Sequence, residues 1–172
     1  AGSTFPKGYS SETGADMLLT NAAADINKPR GSLESLDDVT AIFKAQPEKT
    51  MLNFLKASIK TNKEETEDIK KLHQAYSDGR FEELIPLLEE TEQRTLKLVD
   101  TKYAKAMSDW LKNDLLIRRN LAWLPEIRKQ SAKQSTLFAV GIAHLPSEKG
   151  LIELLRQEGY QVTPEPKVLI WQ

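Results

Sequence analysis

The chain contains two histidines and no cysteine, so thiolate chemistry, disulfides and thiolate metal sites are excluded from the start. Any metal must be held by imidazole or carboxylate. His73 stands in Lys70-Lys-Leu-His-Gln, on a polar helical face, where a solvated histidine is the simplest reading. His144 closes Gly141-Ile-Ala-His144, directly after the apolar run Thr136–Val140. There the sequence predicts a strand that gives way to a turn, the position from which open α/β sheets present ligand-binding side chains. A neutral imidazole binds Mn, Co or Zn, and a rigid strand end with a glycine beside it fixes its direction. The competing assignment is a histidine that caps the following helix or fills a gap in the core. Hydrolytic zinc sites use about three protein ligands and an open position for water, so His144 alone does not complete one. Glu34 is a candidate acidic partner, against the plainer role of a charge near a helix N-terminus. Arg118 and Arg119 offer guanidinium groups to a substrate carboxylate or a developing oxyanion, or else form a solvated pair.

The elements around these residues can be outlined from periodicity. Residues 1–14 carry glycine, proline and hydroxylated residues and read as irregular. Ala15–Asp25 suits a short helix ended by Asn27-Lys28-Pro29, and Arg30–Glu34 a short strand. Ser35 is placed to cap a helix that runs toward Ala45, with Asp37 and Asp38 in its first turn. Pro47 opens a further helix, and Asp78-Gly79 turns a helical hairpin back so that Phe81, Leu84 and Leu88 face Leu72 and Tyr76. A long pattern from Thr95 to about Lys129 is interrupted by Pro125. Trp110 and Trp123 fall on its apolar stripe and read as core. The run Glu64-Glu65, Glu67-Asp68 reads as a solvated face. Leu151–Gln157 forms an amphipathic helix with Gly159 as its C-terminal stop. Tyr160–Thr163 and Lys167–Trp171 are strand candidates separated by two prolines. The expected fold is α/β or α+β: helix-rich, with a small mixed sheet near residues 30, 137, 161 and 168.

The longer string FAVGIAHLPSEKGLIELLRQEGY, from Phe138 to Tyr160, resembles the closing motif of the TraB/PrgY/GumN family. Arg119-Asn120 within Leu-Leu-Ile-Arg-Arg-Asn is similar to that family's Arg-Asn helix, and Lys28-Pro29-Arg-Gly-Ser-Leu-Glu34 to its Lys-Pro, Leu-Glu segment. The resemblance runs from about Gly14 to Val162 and marks the chain as similar to a family's C-terminal half. It implies an EreA/ChaN-like half-domain over residues 15–172, with a helical insertion at about 47–130 and a strand-GxxH-helix-strand unit at 136–172. It also implies a metal-dependent, peptidase-like hydrolase related to the Tiki proteases. His144 would be the ligand for Mn, Co or Zn, Gly141 the motif glycine, and Arg119 and Glu34 the catalytic helpers. The family's first GxxH has no counterpart before Gly14, so partner ligands must come from elsewhere. The other class of function is a non-catalytic peptide- or pheromone-binding or inhibitory module built on the helical hairpin.

Bulk properties narrow the partners. With 24 Lys and Arg against 25 Asp and Glu, nothing steers the chain to nucleic acid or to an anionic membrane. No window approaches the roughly 18 consecutive apolar residues of a membrane span. The expected partner is a peptide or small-molecule substrate, with oligomeric state open. The resemblance favours an exported, periplasmic or envelope-associated protein.

Overall fold

The computed structural model describes residues 14–60 and 62–164, and throughout them the regular structure is helical. The helices are α1 (Ala15–Asp25), α2 (Leu36–Lys44), α3 (Glu48–Lys60), α4 (Asn62–Ser77), α5 (Phe81–Leu98), α6 (Thr101–Asp109), α7 (Arg118–Ser131) and α8 (Leu151–Gln157). A π-helical stretch, Trp110–Ile117, joins α6 to α7, and a single 3-10 turn covers Ile142–His144. The chain divides into two compact units, residues 1–115 and 116–172.

No strand occurs among the described residues, which overturns the expected α/β fold with a mixed sheet. Arg30–Glu34, Thr136–Val140 and Tyr160–Thr163 are irregular, while Lys167–Trp171 lies outside the described residues. The reason is pairing. A strand is stable only when a neighbour takes up its backbone groups and one face is covered. Among the described residues no backbone hydrogen bond ties residues 136–140 to another segment, and Leu137 is 76% exposed. Apolar, β-branched composition therefore marks a segment suited to a sheet without supplying the partner that makes one.

In the first unit, α3, α5 and α6 enclose a core of Ala57, Leu96, Val99, Met107 and Trp110, flanked by Ile42, Met51, Phe54 and Tyr103. Trp110 Nε1 donates to the carbonyl of Ile42 at 3.3 Å, and Phe43 meets the indole edge-on with ring centroids 5.2 Å apart. Helix α2 starts as the sequence indicates. Ser35 Oγ accepts from the Asp38 N–H and the Asp38 carboxylate accepts from the Ser35 N–H, a reciprocal capping box. The Ser35 hydroxyl also donates to Asp38 Oδ2 at 2.6 Å, and this bond together with that from the Ser35 N–H holds the Asp38 carboxyl below its ordinary range.

The hairpin of α4 and α5 turns at Gly79, whose φ of +66° is the left-handed conformation that favours glycine. Asp68 is not part of a solvated face. It is 6% exposed and accepts from Arg94 Nη1 at 2.5 Å and from Thr91 Oγ1 at 3.2 Å, clamping α4 to α5. The same pairing raises the Arg94 guanidinium above its usual value. The long pattern expected from Thr95 is broken at Val99, which is extended, and at Asp100, whose side chain caps α6 by accepting from the Lys102 N–H at 3.0 Å. The helix then runs through Pro125 without ending.

Candidate functional site

Helix α7 organises the second unit. Asn120, Trp123, Leu124 and Ile127 recur three and four residues apart and are all buried, so they form one stripe, with Arg119 beside it one turn before Trp123. Helix α8 packs against α7 and contributes Leu151 and Leu154, both buried. The loop between the helices carries His144, which is 6% exposed and lies against this stripe.

Four side chains from α7 and the loop meet here. Asn120 Nδ2 donates to the carbonyls of His144 at 3.2 Å and Lys149 at 2.8 Å. Two carbonyl oxygens on one end of the amide fix its orientation, because only the NH2 group can satisfy both. The oxygen Oδ1 then faces His144 Nδ1 at 2.7 Å and must receive a proton from it. His144 is thereby assigned the Nδ1–H tautomer, with its lone pair on Nε2. Arg119 Nη1 stands 3.4 Å from that Nε2, and the Arg119 guanidinium carbon lies 5.0 Å from the centroid of Trp123. Trp123 packs on the imidazole with centroids 4.5 Å apart and rings inclined at 44°. Trp123 Nε1 is the one buried side-chain donor among the described residues with no hydrogen-bond partner.

The loop has its own requirements. Gly141 has φ −58°, and a methyl group added there would meet only His144 Cδ2, at the ordinary contact distance of 3.7 Å. The position does not itself demand glycine. Gly150 does, since a Cβ would fall 1.9 Å from the Pro146 carbonyl oxygen. Ser147, at φ +82°, holds the left-handed conformation in between, and its carbonyl accepts from the Gly150 N–H at 3.0 Å.

Of the candidate residues, His144 and Arg119 come together. Gly141 opens the turn that carries the imidazole. Glu34 belongs to the first unit, half-buried in the segment before α2, where its backbone N–H and carbonyl both engage Ser32 Oγ. His73 is exposed, with its Nε2 3.3 Å from Ser77 Oγ. Asn120 is the functional residue that pattern reasoning left out of the site. Its signal was the Arg-Asn pair itself, because a buried amide one residue after a candidate arginine needs a polar partner.

A model of the TraB/PrgY/gumN family matches residues 4–164, nearly the whole chain. The chain belongs to the TraB/PrgY/gumN family. No curated protein and no solved structure matches it. The family resemblance implies a divalent metal, and the geometry can be tested for one. A histidine that ligates a metal characteristically donates its other ring N–H to a carbonyl or carboxylate, which fixes tautomer and ring direction. His144 and Asn120 have this arrangement, which puts the ring proton on Nδ1 and the lone pair on Nε2. His144 therefore fits one ligand position. Among the described residues no three His, Asp or Glu side chains converge to form a full ligand set. In this TraB/PrgY/gumN-family chain the second unit thus supplies one prepared imidazole with a cation beside it. No described helix is long and apolar enough to cross a membrane.

Proposed function

We propose that this chain provides the histidine and an accompanying arginine of a metal-dependent, peptidase-like hydrolase site of the TraB/PrgY/gumN type. The observation that carries the reading is the Asn120 lock on His144: a buried amide uses both N–H donors and its oxygen on setting one imidazole tautomer and the loop that bears it. A divalent cation at Nε2, together with ligands beyond this cluster, would supply the Lewis acidity that activates water and polarises a carbonyl. The chain's own residues do the rest. Asn120 keeps the proton on Nδ1 and so the lone pair on Nε2, the nitrogen 3.4 Å from Arg119 Nη1. Trp123 covers one side of the imidazole and excludes water from it. Arg119 carries a permanent positive charge, which stabilises an oxyanion or a substrate carboxylate brought within hydrogen-bond reach.

The test is peptide hydrolysis followed by mass spectrometry, on protein stripped with chelator and then supplied with Mn, Co or Zn. Cleavage should appear only with metal and should vanish in His144→Ala. Peptide binding without turnover under every metal would sink the hydrolase reading. That outcome would favour the second one, a non-catalytic peptide-binding or inhibitory module, for which the α4–α5 hairpin of the first unit is the supporting feature.

A further inference from the structure

We propose that the first unit carries a self-association surface, on which α1 of one copy lies against the outward face of α3 of a second copy, and α1 of the second against α3 of the first. Helix α1 holds no buried residue, and no other helix packs along it. At about 100° per residue, Leu18, Leu19, Ala22 and Ile26 fall on one side of it as an exposed stripe about 12 Å long. An 11-residue helix without packing is marginal in water, so this one gains from a surface to rest on. Helix α3 offers that surface. It turns Thr50 and Ala57 into the core, and on the opposite side Leu52, Leu55 and Ile59 form a second exposed apolar stripe, about 10.5 Å long. A helix that is apolar on both sides is ordinarily covered on both sides. Charge selects the occupant. The ionisable side chains of α1 are Asp16 and Asp25, whereas Lys49, Lys56 and Lys60 run along one border of the α3 stripe, and the acid of α3, Glu48, stands one turn ahead of Leu52. None of these two aspartates and three lysines takes part in an ion pair among the described residues. An anionic lipid surface would suit α3 but repel α1, while a second copy of the chain suits both. Since each chain bears one of each surface, two copies satisfy both at once in a closed two-fold pair.

Sedimentation velocity of the full chain over a concentration series measures the association, and circular dichroism verifies that each variant keeps its helices. The parent should form a dimer that dissociates on dilution, with amide exchange across residues 15–25 slow in the dimer and fast in the monomer. Asp16→Lys with Asp25→Lys mismatches both contacts of the pair, and so does Lys56→Glu with Lys60→Glu. Each double variant should raise the dissociation constant about tenfold or more, because an exposed ion pair shifts an equilibrium by up to about fivefold and several are reversed together. An equimolar mixture of the two variants should recover the parent's affinity, since one contact of the mixed pair is native and the other is reversed on both sides. Loss of fold cannot produce recovery on mixing. A parent that stays monomeric up to its solubility limit would overturn the proposal, as would variants that dimerise like the parent or a mixture that recovers nothing. A monomeric parent that floats with phosphatidylserine vesicles, and ceases to do so in Lys56→Glu with Lys60→Glu, would assign the α3 face to a lipid surface instead. None of the substituted residues belongs to the His144 site, so this result and that of the hydrolysis assay stand or fall separately.

Discussion

Asn120→Ala tests the central geometric argument most directly. The substitution removes three hydrogen bonds at once, to the carbonyls of His144 and Lys149 and from His144 Nδ1. Each such bond contributes about 1 kcal/mol net, and a buried group left without a partner costs about 1–3 kcal/mol. At a side chain 2% exposed, water replaces few of the lost partners. The expected loss is therefore about 3 kcal/mol, rising toward about 5 kcal/mol if the cavity stays dry. Denaturant unfolding followed by circular dichroism measures the loss. The tautomer gives a second readout that general destabilisation does not move. Nitrogen-15 shifts of the parent should show Nδ1 protonated and Nε2 bare, and in Asn120→Ala the Nε2–H form should become populated. A destabilisation below about 1 kcal/mol, or a parent His144 that already carries its proton on Nε2, would refute the amide assignment and with it the claim that Nε2 is presented for chemistry.

Three further outcomes follow from the same structure. Gly150→Ala drives a Cβ to 1.9 Å from the Pro146 carbonyl oxygen, so the loop must shift; a loss of about 2–4 kcal/mol in unfolding experiments is expected, whereas Gly141→Ala, which meets nothing closer than 3.7 Å, should change stability by less than about 1 kcal/mol. Ser147→Gly relieves a left-handed backbone at φ +82° and should raise the melting temperature, as measured by thermal circular dichroism. The third concerns pH. The folded Asp38 carboxyl lies below its unfolded value, so its contribution to α2 is complete above the unfolded pKa and is lost as pH falls through the lower, folded one. Amide exchange across residues 36–44 should accelerate in that acid window, and Asp38→Asn should abolish this pH dependence.

How far these features could be read in advance depended on whether they were local. Ser35 as an N-cap, the turn at Gly79 and the extent of α8 each depend on a few neighbouring residues, and each stands as the pattern indicates. The sheet required partners distant in sequence. Thr136–Val140 has the composition of a buried strand, yet no described segment pairs with it. Asp68 shows the same limitation with the opposite outcome: within an acidic run it looks solvated, and only its pairing with Arg94 on the next helix explains its burial. In the site, His144 and Arg119 were identifiable as chemistry-bearing residues. Their contact was not, because it depends on how a loop folds back over α7.

The dipeptide Arg119-Asn120 explains why one helix both holds the imidazole and places a cation beside it. Successive helical residues point about 100° apart, so neighbours cannot share a face, but both can border a residue three or four positions on. Trp123 is that residue, at i+4 from Arg119 and i+3 from Asn120. Asn120 sits on the buried stripe and reaches the Nδ1 side of the ring, while Arg119 sits at the edge of the stripe and reaches Nε2. The two nitrogens of one histidine are thus read by adjacent residues, one from within the core and one from its rim. Exchanging the pair, Arg119→Asn with Asn120→Arg, preserves composition and helix propensity closely. It should nevertheless destabilise the unit more than either single replacement by alanine, since it buries an uncompensated guanidinium where the amide had been. If the exchanged protein unfolded at the same denaturant concentration as its parent, the division of labour between core and rim would be wrong, and the contacts at His144 would be incidental to the packing of α7.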